Sequence, residues 1–419
     1  MVVLSATAHI SWMVAGGQPK WTVLYAAFVI VVLCSWRERY RLDTVGWLVL
    51  VFIGWAVLSL LWSSDWRSGV LQVQNLVVLA GLFFAWRAWG KHLAEIVTIA
   101  LAFALAIIVV APEVHIALNP EYFATTSVFP SYSLSPAQKD MIIRLVVFGN
   151  ENFSTEWVLM ALPMAGYVVF GGERFERKMI VKIIALILFV LGLVYLFFND
   201  SQLELVGLFS FMLCYFIWKR WWALAVIWVL VPLNIVLMWP ELIPDGLMGS
   251  LGARAVFGIN TASMWLDLPL FGHGFGSYNY EYPRYGMDHQ ALVNIGPKMA
   301  LSNYIGAAHN EPLQLLAELG IVGFGIAGLV ILAALRKPRF PLATLWILAG
   351  LMLTGFPLQN PATALLATLC LAEMSKYTRG YPRPLQQSLL ERFCGAVRAR
   401  CGGMLRFPMP YGRSRRNSP

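Results

Sequence analysis

From Met179 to Phe198 the chain carries a single charged side chain, Lys182, in an otherwise apolar run. A run of that length crosses a bilayer or fills a large interior, because a spanning helix needs about 20 apolar residues. Comparable runs recur at 2–16, 21–36, 44–62, 70–86, 93–111, 154–170, 203–218, 221–239, 312–335, 340–357 and 361–375. With 59% hydrophobic and 13% charged residues, the composition excludes a soluble globule. Lipid offers the backbone no hydrogen-bond partners, so spans are helices or closed barrels. These runs are too long and too uniformly apolar for barrel strands. The sequence therefore predicts an all-α, polytopic membrane protein of about twelve transmembrane helices. The run at 2–16, bounded by Gly16, Gly17 and Pro19, lacks a basic leader and a clear cleavage site, so it reads as a span.

Basic clusters fix an orientation. Arg37, Arg39 and Arg41, then Arg87 and Lys91, then Arg174, Arg177 and Lys178, then Lys219 and Arg220, then Arg336, Lys337 and Arg339 all fall on one side. The arginines of the tail fall there too, which predicts cytoplasmic N- and C-termini. The net charge of +9 is this topology signal and points to membrane lipids, not nucleic acid. The expected organisation is a transmembrane domain over 1–375 and a basic cytoplasmic tail over 376–419, read first as a solvated tail that acts on topology, with an amphipathic helix on anionic lipid over 385–407 as the alternative. Two outer loops, 112–153 and 240–308, are far longer than the other connections, and long loops in a compact protein are usually functional. Cys34, Cys214 and Cys370 lie in spans and Cys394 and Cys401 in the tail, so no outer disulfide framework is expected.

The richest stretch is His309-Asn310-Glu311-Pro312-Leu313-Gln314, followed by Glu318-Leu-Gly320-Ile-Val-Gly323. Pro312 suits a first helical turn and sets His309, Asn310 and Glu311 at the mouth of an apolar helix. A histidine there, beside the positive end of the helix dipole, is placed to work on an anionic headgroup. Glu311, Gln314 and Glu318 share one helix face. An ionisable residue as deep as Glu318 faces protein or a watery cavity, and either holds two helices together or serves the reaction. Gly320, Gly323 and Gly328 are read as allowing close helix packing.

On the outer side Lys20, Arg67, Lys139, Arg144, Arg254, Arg284 and Lys298 run against the topological bias. The guanidinium fork binds phosphate in bidentate fashion, which makes Arg144, Arg254 and Arg284 candidates, with Asp267 and Glu281 as competing partners. Arg254 to Asp267 reads as an interfacial helix closed by Pro269. Gly272-His273-Gly274-Phe275-Gly276 then permits tight turns and close backbone approach. His273 is the main alternative to His309, and Gly274 a candidate contact. No cofactor and no metal ligand set is called for.

Taken in order, Arg254, Asp267-Leu-Pro269-Leu-Phe-Gly272-His-Gly274-Phe-Gly276, His309-Asn310-Glu311-Pro312-Leu313-Gln314 and Glu318-Leu-Gly320-Ile-Val-Gly323 resemble the O-antigen ligase and polymerase superfamily of bacterial membrane glycosyltransferases. Leu58-Ser59-Leu60-Leu61-Trp62-Ser63 and Gly149-Asn150-Glu151-Asn152-Phe153 are compatible with it. The resemblance implies a helical GT-C-like fold in the bacterial inner membrane. It implies an undecaprenyl-diphosphate-linked glycan as donor and a hydroxyl acceptor on lipid A core, another glycan repeat or a protein. The family's arginine corresponds to Arg254 and its histidine to His309. A Ser-Arg-Gly motif of the family falls at Asn199-Asp200-Ser201-Gln202-Leu203-Glu204, with Gln202 where arginine is expected. Arg144 or Arg284 then stand in for it.

The chemistry agrees with that resemblance. A lipid diphosphate leaves readily once its developing charge is met by arginine. A neutral imidazole is the natural general base for a hydroxyl acceptor, and in-line displacement inverts the anomeric centre. His309 is the candidate base, Arg254 its catalytic partner, Glu311 or Glu318 orienting groups. Asn310, Gln314, His273, Gly274, Arg144 and Arg284 are candidate substrate contacts. Two other classes fit less well: a transporter or flippase predicts broken helices and midplane ionisable groups in both halves, and a non-catalytic envelope-assembly partner would account for Gln202.

Overall fold

A computed structural model describes residues 17–35, 42–118, 151–170, 179–198, 245–289, 308–335, 342–355 and 357–376, with short pieces between 209 and 230. The described residues are helical, with no strand among them. In chain order the helices are α1 (Gly17–Ser35), α2 (Thr44–Ser59), α3 (Trp66–Trp89), α4 (Leu93–Leu118), α5 (Glu151–Phe170) and α6 (Met179–Phe198). They continue with α7 (Asp245–Asp267), α8 (Tyr278–His289), α9 (Glu311–Ala334), α10 (Leu342–Thr354) and α11 (Pro361–Ser375). Three are long and apolar enough to cross a membrane: α3, α6 over Met179–Leu196, and α9. Shorter apolar segments lie in α1, α2, α4, α5, α10 and α11. The expected run at 2–16, the interior of those at 203–218 and 221–239, and the tail after 376 lie largely outside the described residues.

Helix starts are set by side chains that take up orphan amides. Asp43 accepts from Gly46 N at 2.9 Å, Asp65 from Ser68 N at 3.2 Å, and Asn310 from Leu313 N at 3.0 Å. Asn360 accepts from Ala362 N at 3.2 Å, and Pro361 follows it at the first turn as Pro312 does in α9. The main core lies among α1, α3, α4, α5, α6, α10 and α11, around Leu101, Trp157, Met160, Met164, Leu351 and Leu365. Ile180, Ile183, Ile184, Ile187 and Leu191 of α6 are exposed, as a lipid-facing stripe would be. A second cluster, Met264, Tyr278, Tyr282, Ala308 and Ala317, gathers α7, α8 and the start of α9. At the opposite end of α3, Arg87 forks onto Asp43 at 2.9 and 2.5 Å, and Lys376 donates to Gly90 O at 2.7 Å and Glu373 at 2.6 Å. Arg87, expected to act only as a topology charge, thus also joins α2 to α3 and reaches Ser375 of α11.

The run expected as one continuous span at 312–335 is broken. Gly320 has φ 65° and ψ −174°, a conformation open essentially to glycine alone. Gly320 therefore interrupts α9 and does more than ease its packing. A break would strand backbone groups in an apolar interior, and a stranded group costs as much as a lost hydrogen bond. The loop after α7 supplies the partners. His273 N donates to Ala317 O at 3.0 Å and Gly274 N to Glu318 O at 2.8 Å, while Ile321 N donates to Pro269 O at 2.9 Å and Val322 N to Leu270 O at 3.3 Å. Trp55 Nε1 takes Leu319 O at 3.2 Å, and Trp62 Nε1 takes Gly272 O at 3.1 Å. Gly323 has Trp55 within 2.9 Å of where a Cβ would sit, as close helix packing requires, but Gly328 has nothing within 4 Å and plays no such part.

A Cβ on Gly320 would lie 2.2 Å from Leu270 O, in a backbone conformation that resists side chains. Gly320→Ala should destabilise the protein by about 2–3 kcal/mol, read as a lowered Tm in detergent. Gly328→Ala, in an open helical position, should be neutral or gain up to about 1 kcal/mol. Equal Tm values for the two variants would contradict this account of the break.

Candidate functional site

The histidine at the mouth of α9 meets α7. The ring of His309 stacks on Phe257, centroids 5.5 Å apart and planes 28° apart. Arg254 stands one helical turn before Phe257 on the same face of α7, and its charge acts on His309. The two sequence candidates for the reaction therefore lie together. Burial pushes the imidazole down to about 4 and the Arg254 charge adds to the fall, so the ring is neutral at pH 7. Burial also draws the Arg254 guanidinium below its usual value, yet it stays charged. His309 itself has φ 51°, a left-handed conformation unusual for a side-chain-bearing residue.

The polar face of α9 is occupied by the protein itself. Gln314 Oε1 accepts from Ala308 N at 3.1 Å and from Gln359 Nε2 at 3.2 Å, and Gln314 Nε2 donates to Glu318 Oε1 at 3.1 Å. Glu318, 2% exposed, also accepts from Gly276 N at 3.0 Å. Glu311 Oε1 accepts from Leu358 N at 2.7 Å and Gln359 N at 3.2 Å. Its other oxygen has no partner, as is true of Oε2 of Glu156, whose charge acts on Glu311 from α5. Asn310 caps α9 and donates to Leu353 O at 3.3 Å. The positive end of the α9 dipole is thus closed by the Asn310 cap, the missing amide of Pro312 and the Glu311 carboxylate in the first turn. The expected anion seat on that helix end is not open.

Loop residues are committed too. His273 Nε2 lies 2.9 Å from Met264 O, an atom that only accepts, so this nitrogen carries the hydrogen and ties the loop to α7. Gly274 at φ 95° leaves no room for a Cβ, which would meet Ser63 Cα at 2.5 Å. Gly276 at φ 80° abuts Gly69, and Ser59 Oγ accepts from Phe275 N at 3.1 Å. Close approach here is to the protein's own backbone. Arg284 pairs with Glu281 at 2.7 Å and lies over Tyr280, centroid at 5.4 Å. Below it Asn260 Nδ2 donates to Tyr282 Oη at 3.0 Å, and the Thr261 and Tyr278 hydroxyls are 3.1 Å apart. Burial raises both phenols above their usual range, so they stay protonated. Arg144 and the Asn199–Glu204 segment lie outside the described residues. Among the described residues no group of three or more His, Cys, Asp or Glu could hold a metal ion.

Two site residues carried sequence signals that were not used. Phe257 is the i+3 neighbour of Arg254, so any partner of one meets the other. Gln359-Asn360-Pro361 repeats at the mouth of α11 the polar-then-proline pattern that marks the mouth of α9.

Long apolar helices carrying a buried polar cluster at their mouths define an integral membrane protein of helical architecture. The O-antigen ligase family model matches residues 184–328, about a third of the chain, and supports membership of the O-antigen ligase and polymerase superfamily. The matched stretch holds Arg254, His273, Arg284, His309, Gln314 and Glu318, while Glu156 and Gln359 fall outside it. No curated protein matches the chain. The partial family match indicates an O-antigen ligase-like glycan transfer, with a lipid-linked glycan and an acceptor as partners in general terms.

Glu318→Leu would leave Gly276 N and Gln314 Nε2 buried without an acceptor. The cost should be about 1–3 kcal/mol for each stranded donor, seen as a lowered Tm. An unchanged Tm would mean that the carboxylate does not hold the loop.

Proposed function

We propose that the chain is an inverting, metal-independent glycosyltransferase of the bacterial inner membrane. The donor is a glycan on undecaprenyl diphosphate, and the acceptor is a hydroxyl of lipid A core, of a glycan repeat or of a protein. Both termini are cytoplasmic in this reading, the domain boundaries are those given by the sequence, and the site opens on the outer face. The observation that carries the proposal is a neutral imidazole stacked at Phe257 beside the Arg254 cation, at the mouth of an apolar helix.

In this mechanism the acceptor hydroxyl gives its proton to an unprotonated imidazole nitrogen of His309 as its oxygen attacks the anomeric carbon. The bond from that carbon to the phosphate oxygen breaks, and the lipid diphosphate leaves with the electron pair. Arg254 meets the charge that develops there. An imidazole held near 4 is a weak base in the empty site. The arriving diphosphate brings negative charge beside Arg254, reverses the repulsion on His309 and raises its basicity when the acceptor needs it. Arg284 and Arg144 are further donor contacts in this reading, and Asn310, Glu311, Gln314, Glu318, His273 and Gly274 shape the site from behind.

The break in α9 favours a second reading, since discontinuous helices build transporter sites. At Gly320, however, the freed backbone groups are bonded to Pro269, Leu270, His273 and Gly274, which leaves them unavailable to a ligand. The transfer reading therefore stands first.

His309→Ala and Arg254→Ala, compared at equal membrane abundance, should each lower transfer from a lipid-diphosphate-linked glycan by about 10²- to 10⁴-fold. Wild-type transfer in both would end this mechanism. A base must be neutral, so activity should fall as pH drops through its pKa. The acid limb of kcat/KM, which reports the free enzyme, should lie near pH 4, and that of kcat higher. Arg254→Gln should move the kcat/KM limb up only part of the way, because burial is the larger cause of the depression, whereas Arg254→Lys should leave it in place.

A further inference from the structure

His309 holds a left-handed backbone, and such a conformation persists only where its surroundings over-determine it. Three restraints act on it. Its ring stacks on Phe257, the next residue is held by the Asn310 cap and by Leu353 O, and the amide of Ala308 before it is held by Gln314. The third is the informative one, because Gln314 is 7% exposed and its two polar atoms join pieces of chain far apart in sequence. Its oxygen takes the amide of Ala308, which is 1% exposed, and also the side chain of Gln359 from the turn before α11. Its nitrogen binds Glu318, which in turn holds the amide of Gly276 beneath α8.

We propose that Gln314 is a positioning residue for His309. It fixes the amide of Ala308, the residue before the histidine, so that the imidazole stays registered against Phe257 and Arg254, and it does not itself touch the donor. The amide suits this role because one side chain must accept from Ala308 and Gln359 while donating to a carboxylate. The proposal rests on the reading of His309 as the base. Misplacing a reacting group by about 1 Å can cost about 10²-fold in rate, so loss of the restraint should show in kcat.

The test uses the full chain in nanodiscs, with an undecaprenyl-diphosphate-linked glycan as donor. Gln314→Met keeps the length and removes both polar atoms. It should lower kcat by about 10- to 100-fold with donor KM changed less than about threefold. It should also speed hydrogen exchange at the Ala308 amide, a readout independent of activity. Gln314→Glu keeps the acceptor for Ala308 and, while protonated, the donor to Glu318. It should restore activity at low pH and lose it as its carboxyl ionises against Glu318, an alkaline limb that the parent and Gln314→Met lack. Gln359→Met, which removes only the second donor to Gln314, should lower kcat by a smaller factor and keeps the test valid if Gln314→Met fails to fold. Wild-type kcat in Gln314→Met, or wild-type kcat in Gln359→Met where Gln314→Met does not fold, overturns the proposal. So does a loss confined to donor KM, which would make Gln314 a substrate contact. If His309→Ala retains transfer, the base assignment fails instead. If His309→Ala is inactive while Gln314→Met is normal, only the positioning role fails.

Discussion

A backbone amide in an apolar interior must find a partner, and the architecture around the site follows from how one helix meets that demand. At Gly320 the ladder of α9 stops, and the segment from Pro269 to Gly274 trades two donors and two acceptors with the two halves of the helix. The exchange fixes the end of α7 and the start of α8 relative to α9. It also explains the crowding of positive-φ glycines: Gly272 and Gly320 each face the other's segment, while Gly274 presses on the turn after α2 at Ser63 and Gly276 on the start of α3 at Gly69. Side chains there would push the two segments apart and expose the groups they satisfy.

With that scaffold closed, the electrostatics of the site depend on very few charges. Among the described residues Arg254 forms no ion pair, whereas Arg284 is offset by Glu281. The Arg254 charge reaches His309 through a partly desolvated space, where a unit charge acts more strongly than in water. Desolvation and repulsion both keep the ring unprotonated. In the proposed reaction an incoming anion would act on both at once, satisfying the cation and making the imidazole more basic.

Much of this was legible in the sequence, and the limits are physical. Apolar run length found α2, α6, α9 and α11 to within a few residues, because lipid leaves helices as the only answer for such runs. Pro312 and Pro361 marked two helix starts, since proline loses nothing at a first turn. The meeting of Arg254 and His309 was suggested by resemblance rather than by spacing. The break at Gly320 was not legible, because glycine in an apolar run also serves helix packing, and the deciding partner lies some 50 residues upstream in the loop. The shared face of Glu311, Gln314 and Glu318 was read correctly, but their destinations were not. Glu311 and Gln314 reach the turn before α11, and Glu318 reaches Gly276, contacts that a helical wheel cannot show.

The closed N-terminus of α9 bears on how a diphosphate is held. A helix dipole ordinarily offers amide donors at no cost in charge. Here Asn310 takes the Leu313 amide, Pro312 has none, and Glu311 brings a carboxylate to the same turn. In the proposed reaction the Leu313 amide is thus already committed, and the leaving group would be met by Arg254 of α7 and not by the end of α9. Under the proposed in-line displacement a hydroxyl acceptor would then approach the imidazole from the side opposite the phosphates.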